Sequence, residues 1–205
     1  MSETQNDPPV WSPLGFARGD LLNNLLTVAA LLFWARVLLY AFNQDVPRAK
    51  YGAVFLGGGV LVYVLNELRS LEGESLLERV GLWACVVVGL GTSGYVWWHY
   101  EVLETTRVGY ALSHEYAIGG LFAVVVLYLT YRAFGSAFAG VVVLSILYAL
   151  FGNFVPGLMS HGGIAVEQVI NVLTMEFDGF YGSITQIVAA WVALAETQRR
   201  HGSHL

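Results

Sequence analysis

The sequence predicts an all-α protein that crosses a membrane about six times. Hydrophobic residues make up 56% of the 205 residues and charged residues only 12%, about half the charge of an average soluble domain. The mean hydropathy is +0.60. Two runs without a formal charge, 80–98 and 133–160, contain 19 and 28 residues, and a membrane helix needs about 20. A polytopic membrane protein follows from these lengths.

The predicted helices are apolar blocks separated by charged or Pro/Gly-rich segments. They cover residues 21–43, 51–68, 79–100, 115–132, 136–153 and 179–196. Residues 1–20 form a cytosolic lead-in, because their acidic residues and three prolines do not fit a secretory signal. The sixth helix is the weakest pattern, since its unbroken apolar part spans only 187–195.

Basic residues near the helix ends predict the orientation. Six Lys and Arg residues lie on the side shared by the N-terminus, the second and fourth connections and the C-terminus. Three lie on the opposite side, at Arg48, Lys50 and Arg107. Cytoplasmic loops carry the excess of positive charge, so both termini are predicted to lie in the cytoplasm and the chain in the cell (inner) membrane.

The connection 154–178 has a pattern of its own. Pro156 and Gly157 end the fifth helix, and His161 is followed by two glycines that turn the chain. Apolar and polar positions then alternate with partly helical spacing over 164–177. This pattern predicts an amphipathic helix that lies along the outer interface or in a protein groove.

Glycines are frequent inside the predicted spans. Residues 89–94 match the dinucleotide pattern GxGxxG, but they lie in a charge-free span where no soluble helix offers its N-terminus to a pyrophosphate. Close packing of membrane helices explains them better. The same interpretation applies to 57–59, Gly135 and Gly140.

Ionisable side chains inside membrane helices are expensive and are therefore candidate functional groups. Arg36 lies in the outer half of the first helix, where its side chain is expected to reach the outer headgroups beside Tyr40. Glu67 is expected at the inner interface beside Arg69, and a direct pair of Arg36 with Glu67 is not expected.

One connection carries several histidines and carboxylates, and a zinc site needs three or four converging ligands. The residues are irregularly spaced and are interpreted as solvated loop residues: His99, Glu101, Glu104, His114 and Glu115. The single cysteine, Cys85, lies in mid-span and excludes an intramolecular disulfide. The sequence therefore predicts no metal, no cofactor and no enzymatic activity. Without a basic cluster, nucleic acid is not an expected partner.

Five short blocks resemble a known family in their order and spacing. They are LYLTYRAFG at 127–135, ILYALFG at 146–152, VPG at 155–157, SHG at 160–162 and FDGFYG at 177–182. Together they resemble successive blocks in the fused permeases of TAXI-type TRAP transporters. Segments 39–51 and 95–108 resemble upstream blocks of the same family more loosely.

The resemblance implies a division of the chain and a set of partners. Residues 21–132 resemble the four-helix small subunit, and 133–205 resemble the start of the large subunit, split from the usual fused form. The implied function is that of a non-catalytic small membrane subunit of a tripartite transporter. It would scaffold an ion-coupled large permease subunit that takes up an organic anion from an extracytoplasmic TAXI-type binding protein, with membrane lipid around it.

The resemblance also marks positions expected to shape the outer connection, in a structural and not a catalytic role. These positions are Pro156, Gly157, His161, Asp178, Gly179 and Gly182. The alternative function is a stand-alone membrane adaptor or assembly protein without a transport role. An intramembrane enzyme or haem protein would need paired buried histidines, and His99, His114 and His161 all fall at helix ends or connections.

Overall fold

A computed structural model describes residues 21–70, 76–177 and 179–182. Every regular element in this part of the chain is helical, which confirms the predicted all-α class. The elements are α1 (Leu21–Asn43), α2 (Arg48–Ser70), α3 (Leu76–Thr105), α4 (Ser113–Phe151), two 3₁₀ turns (Gly152–Phe154 and Gly157–Met159) and α5 (Val166–Thr174). Helices α1 to α4 are long and apolar enough to cross a membrane. The chain has the composition and helix lengths of a multi-pass membrane protein.

The centre of the bundle is the contact between α2 and α3. Small residues bring the two helices together, because a side chain at Gly57 would meet Ser93 and one at Gly89 would meet Val60. Around them lies an apolar core, to which the helices contribute Val60, Val64, Leu68, Leu82, Cys85, Val86, Val125 and Leu129. Close packing therefore explains Gly89, whereas a side chain at Gly91 or Gly94 would meet nothing within 4 Å.

Helix α1 lies on the outside of the bundle and contacts α2. The Arg36 guanidinium pairs with Asp45 at 3.1 Å. It also lies over the rings of Tyr40 and Tyr51, whose centroids are 3.7 Å apart. This cluster ties the end of α1 to the start of α2.

Helix α4 contains the two predicted helices 115–132 and 136–153, interrupted at Gly135. Gly135 has φ 80° and ψ −178°, a backbone conformation essentially reserved for glycine. A side chain there would meet nothing within 4 Å, so the packing role expected for Gly135 is wrong and its backbone conformation explains the glycine. The predicted boundary between residues 132 and 133 falls three residues before this break.

The two arms of α4, residues 113–134 and 136–151, meet at a sharp bend. In a straight helix Gly120 and Ala149 would be about 43 Å apart, at 1.5 Å per residue. Yet Ile170 of α5 lies within side-chain contact of Gly120, and the amide of Ile164 donates to the carbonyl of Ala149 at 2.9 Å. Six residues span at most about 22 Å, so α4 cannot run straight through Gly135.

Helix α5 lies in the groove between these arms, and Thr174 packs directly on Gly119. Asn171 and Thr174 are buried. The amphipathic helix was predicted to lie either along the outer interface or in a protein groove, and in the structure it lies in a protein groove. The Asn171 amide donates to Glu176 at 2.8 Å, which holds the turn after α5.

The chain leaves α5 at Met175, and residues 179–182 lie against the bundle. Tyr181 is fully buried, its ring stacks on Phe122 at 6.1 Å, and its carbonyl lies against Gly52 of α2. Irregular backbone of this kind is tolerated at membrane depth only where protein surrounds it. Residues 179–182 form turns, so the predicted start of the sixth helix at 179 is wrong. The rest of that helix and the lead-in 1–20 lie outside the described residues.

Candidate functional site

A buried ionic cluster joins α3, the 106–112 connection and α4. Glu115 is fully buried. Its carboxylate pairs with Arg107 and accepts hydrogen bonds from the Leu112 amide at 2.6 Å and the Tyr95 hydroxyl at 2.7 Å. Glu115 is the third residue of α4, where a carboxylate can accept from the N-cap amide and interacts favourably with the helix dipole. The expectation that Glu115 is a solvated loop residue is therefore wrong.

The Arg107 guanidinium is the counter-ion in this cluster. Burial would lower the pKa of Arg107, but hydrogen bonds to Glu115 and Tyr95 and the charge of Glu115 together raise it. Arg107 therefore stays charged, and the cluster is a static pair with no proton to exchange.

The histidines near this cluster do not form a metal site. The His99 ring stacks on Tyr95 at 4.2 Å, and His114 Nε2 lies 3.2 Å from the Tyr95 hydroxyl oxygen. That hydroxyl already donates its proton to Glu115, so His114 Nε2 is the donor to Tyr95. Among the described residues no group of three or more His, Cys, Asp or Glu side chains could hold a metal ion.

A second ion pair links α2 to α4 near the Gly135 break. Arg132 donates from Nη2 and Nε to Glu67 Oε2, at 3.0 and 3.3 Å, and from Nη1 to the Tyr128 hydroxyl at 3.3 Å. Both charged side chains are about one-fifth exposed. The sequence placed Glu67 beside Arg69 and did not indicate Arg132, which lies 65 residues further along the chain.

Exchanging the two charges tests this second pair. Glu67→Arg alone would oppose two cations and is expected to lower the free energy of unfolding by about 1.5–3 kcal/mol, the range for hydrogen bonds to charged groups. Adding Arg132→Glu should recover at least half of that loss, measured by denaturation in mixed micelles. A double variant no more stable than Glu67→Arg alone would contradict the pairing.

Three of the six predicted positions lie at the end of α4. Pro156 precedes the second 3₁₀ turn, and Gly157 begins it with φ 82°. The His161 ring lies against Gly152, where a side chain would collide with the imidazole. A hydrogen bond joins this turn to α4, because the Tyr148 hydroxyl donates to the Met159 carbonyl at 2.6 Å.

The other three predicted positions follow α5. At Gly179 a side chain would collide with the carbonyls of Val172 and Leu173, and the next amide, Phe180, donates to Leu173 at 2.9 Å. Gly182 donates its amide to Gly179 at 3.0 Å, and Asp178 lies outside the described residues. The structure therefore places the described motif residues at the ends of two different helices and does not join them in one site.

Two apolar cavities complete the candidate surfaces. One, of about 250 Å³, lies between α2 and the first arm of α4, with Leu56, Gly59 and Ala133 in its lining. The other, of about 390 Å³, lies between the second arm of α4 and α5, with Ser145 and Gln168 as its polar lining residues. The Ser145 hydroxyl already donates to Val141. Neither cavity presents a charged side chain in its lining.

The residues that sequence reasoning missed are those whose partners are distant. Nothing near Glu67 in the sequence indicates Arg132. Glu115 offered a local signal, since a glutamate three residues into a helix is a capping position, and this signal predicts a hydrogen bond to the backbone at the helix start. Tyr181 gave no signal, because aromatic residues near a helix end are also typical of the membrane interface.

Comparison with known proteins adds no relative. No family model matches the chain, and no similar protein was found among curated proteins or solved structures. The likeness to TAXI-type TRAP permeases rests on the sequence blocks alone.

Proposed function

We propose that the chain is a non-catalytic membrane scaffold subunit of a TAXI-type TRAP uptake system. In this proposal it holds an ion-coupled large permease subunit, and an extracytoplasmic binding protein delivers an organic anion. The order of the five sequence blocks supports the family, and the use of charge inside the bundle supports the static role.

The observation that carries the proposal is that charged side chains in the described helices fasten elements to one another. Glu67 with Arg132 joins α2 to α4, and Arg107 with Glu115 fixes the start of α4. Lys50 of α2 lies over the Trp97 ring of α3 at 4.9 Å. Groups engaged in this way stabilise one arrangement of helices and are not available to bind a transported ion.

The proposal includes a topology. The bias of Lys and Arg supports cytoplasmic termini. On that orientation the Arg107 cluster and the His161 turn lie on the outer side, and the Glu67–Arg132 pair lies near the inner side. Counting the arms of α4 as two spans gives five crossings, and the rest of the predicted sixth span lies outside the described residues.

Reconstitution with and without the chain tests the proposed function. A candidate large subunit, the binding protein and this chain are co-expressed, with an affinity tag on the large subunit. We expect the chain to co-purify, and we expect ion-driven uptake into liposomes to fall at least tenfold when the chain is omitted.

Two outcomes would overturn the proposal. Uptake unchanged without the chain would remove the scaffold role. A stable chain that co-purifies with no large subunit would favour the alternative of a stand-alone membrane adaptor or assembly protein. Omission of the binding protein alone serves as the control, because it should abolish uptake without affecting co-purification.

A further inference from the structure

The turn at the end of α4 gives the two ring nitrogens of His161 different hydrogen-bond partners. The Gly163 amide lies 3.2 Å from Nδ1 of the imidazole, and the Tyr148 carbonyl lies 3.1 Å from Nε2. A backbone amide only donates and a carbonyl only accepts. Nδ1 must therefore accept and Nε2 must donate, which requires the neutral imidazole with its proton on Nε2.

This imidazole also connects two elements. Tyr148 belongs to the second arm of α4, and its ring meets the imidazole edge-on at 4.9 Å. Gly163 immediately precedes Ile164, whose amide caps α4 through Ala149 and whose side chain lines the 390 Å³ cavity. The ring thus holds the segment that leads into α5 against the end of α4.

We propose that His161 is a proton-sensitive latch that sets the position of the α5 start against the second arm of α4. A histidine changes charge between about pH 5 and 8. Protonation places a hydrogen on Nδ1, facing the Gly163 amide, so two donors oppose each other and that bond is lost. The bond to Tyr148 survives, because Nε2 remains a donor and a cation at a helix C-terminus is favourable.

The latch therefore opens on one side only. The ring stays on α4, while the Gly163 amide separates from it, and the segment leading into α5 is then held on α4 by the Ile164 amide bond to Ala149 alone. On the other side of the turn, Met159 remains held by the Tyr148 hydroxyl. Among the described residues, the titratable group in contact with the imidazole is Tyr148 of α4; α5 carries Glu167 at an exposed position in its first turn.

A second histidine provides a built-in comparison. His114 donates from Nε2 to Tyr95, so its protonation leaves that bond in place. Protonation therefore affects the two histidines differently: His161 loses the hydrogen bond from Gly163, whereas His114 keeps its hydrogen bond to Tyr95.

Spin labels on the two sides of the turn test the latch in the full chain, reconstituted in nanodiscs. In a Cys85→Ala background, one sample carries a label at Val166→Cys and another at Leu158→Cys, both exposed positions. Between pH 8 and pH 5, the mobile fraction at 166 should rise at least twofold, while that at 158 should change little. His161→Asn should remove the response, because its amide oxygen can accept from Gly163 and does not titrate. His114→Asn should retain it.

Histidine nitrogen NMR on the unsubstituted chain provides the independent readout. At pH 8, we expect His161 to show a protonated Nε2 and a bare Nδ1. The opposite tautomer would overturn the proposal. The proposal would also be overturned if the mobile fraction at 166 did not change with pH, or if it changed equally in His161→Asn.

Discussion

Replacing Glu115 with alanine is expected to lower the free energy of unfolding by about 3–5 kcal/mol, the range for breaking a buried ion pair. The substitution leaves the Arg107 guanidinium without its counter-ion and removes the acceptor of the Tyr95 hydroxyl and the Leu112 amide. Far-UV circular dichroism during denaturation in mixed micelles measures the loss.

Two controls separate the pair from general damage. Glu101→Ala removes an exposed carboxylate from α3 and should change stability by no more than about 0.5 kcal/mol. The double variant Arg107→Met/Glu115→Met should be more stable than Glu115→Ala, because no buried charge remains unpaired. A loss at Glu115→Ala as small as at Glu101→Ala would contradict the buried cluster.

The second large effect is expected at Gly52. A methyl group there would collide with the carbonyl of Tyr181, which is backbone and cannot rotate away as a side chain would. Gly52→Ala must therefore displace α2 or the 179–182 turn, and it should destabilise the fold by about 1–3 kcal/mol, the range for overpacking. Tyr181 should become accessible to oxidative footprinting.

Gly59→Ala is the matched control, because Gly59 lies on the same helix and an added methyl would meet nothing within 4 Å. It is expected to leave stability unchanged or to increase it slightly, since alanine forms helices better than glycine. Equal losses from both substitutions would mean that Tyr181 does not pack on Gly52.

The sequence predicted local structure well and tertiary contacts poorly, for a physical reason. The predicted end of the first helix at residue 43 agrees with α1, because polar residues follow a charge-poor apolar run there. The separation of the apolar blocks 115–132 and 136–153 predicted a break at Gly135, but the bend of α4 is visible only from the contacts of α5 with both arms. Helix periodicity cannot say which faces meet.

The polar contacts were missed for the same reason. Glu67 pairs with a residue 65 positions away. The sequence contains several arginines, and their position in the sequence does not show which of them lies beside Glu67 in the fold. At His161 the sequence indicated a turn, while the proton position emerges only from the two atoms that face the ring. Hydrogen-bond direction is a property of the fold and not of the residue type.

In the proposed function, α2 and the first arm of α4 form a fixed support for the large permease subunit. A cleavable bifunctional maleimide between Glu67→Cys and Arg132→Cys, in a Cys85→Ala background, tests it most directly in the reconstituted transporter. The cross-link replaces an ion pair that already joins these helices. The scaffold role predicts uptake within about twofold of the uncross-linked double variant; uptake that is abolished by the cross-link and restored when it is cleaved would contradict it.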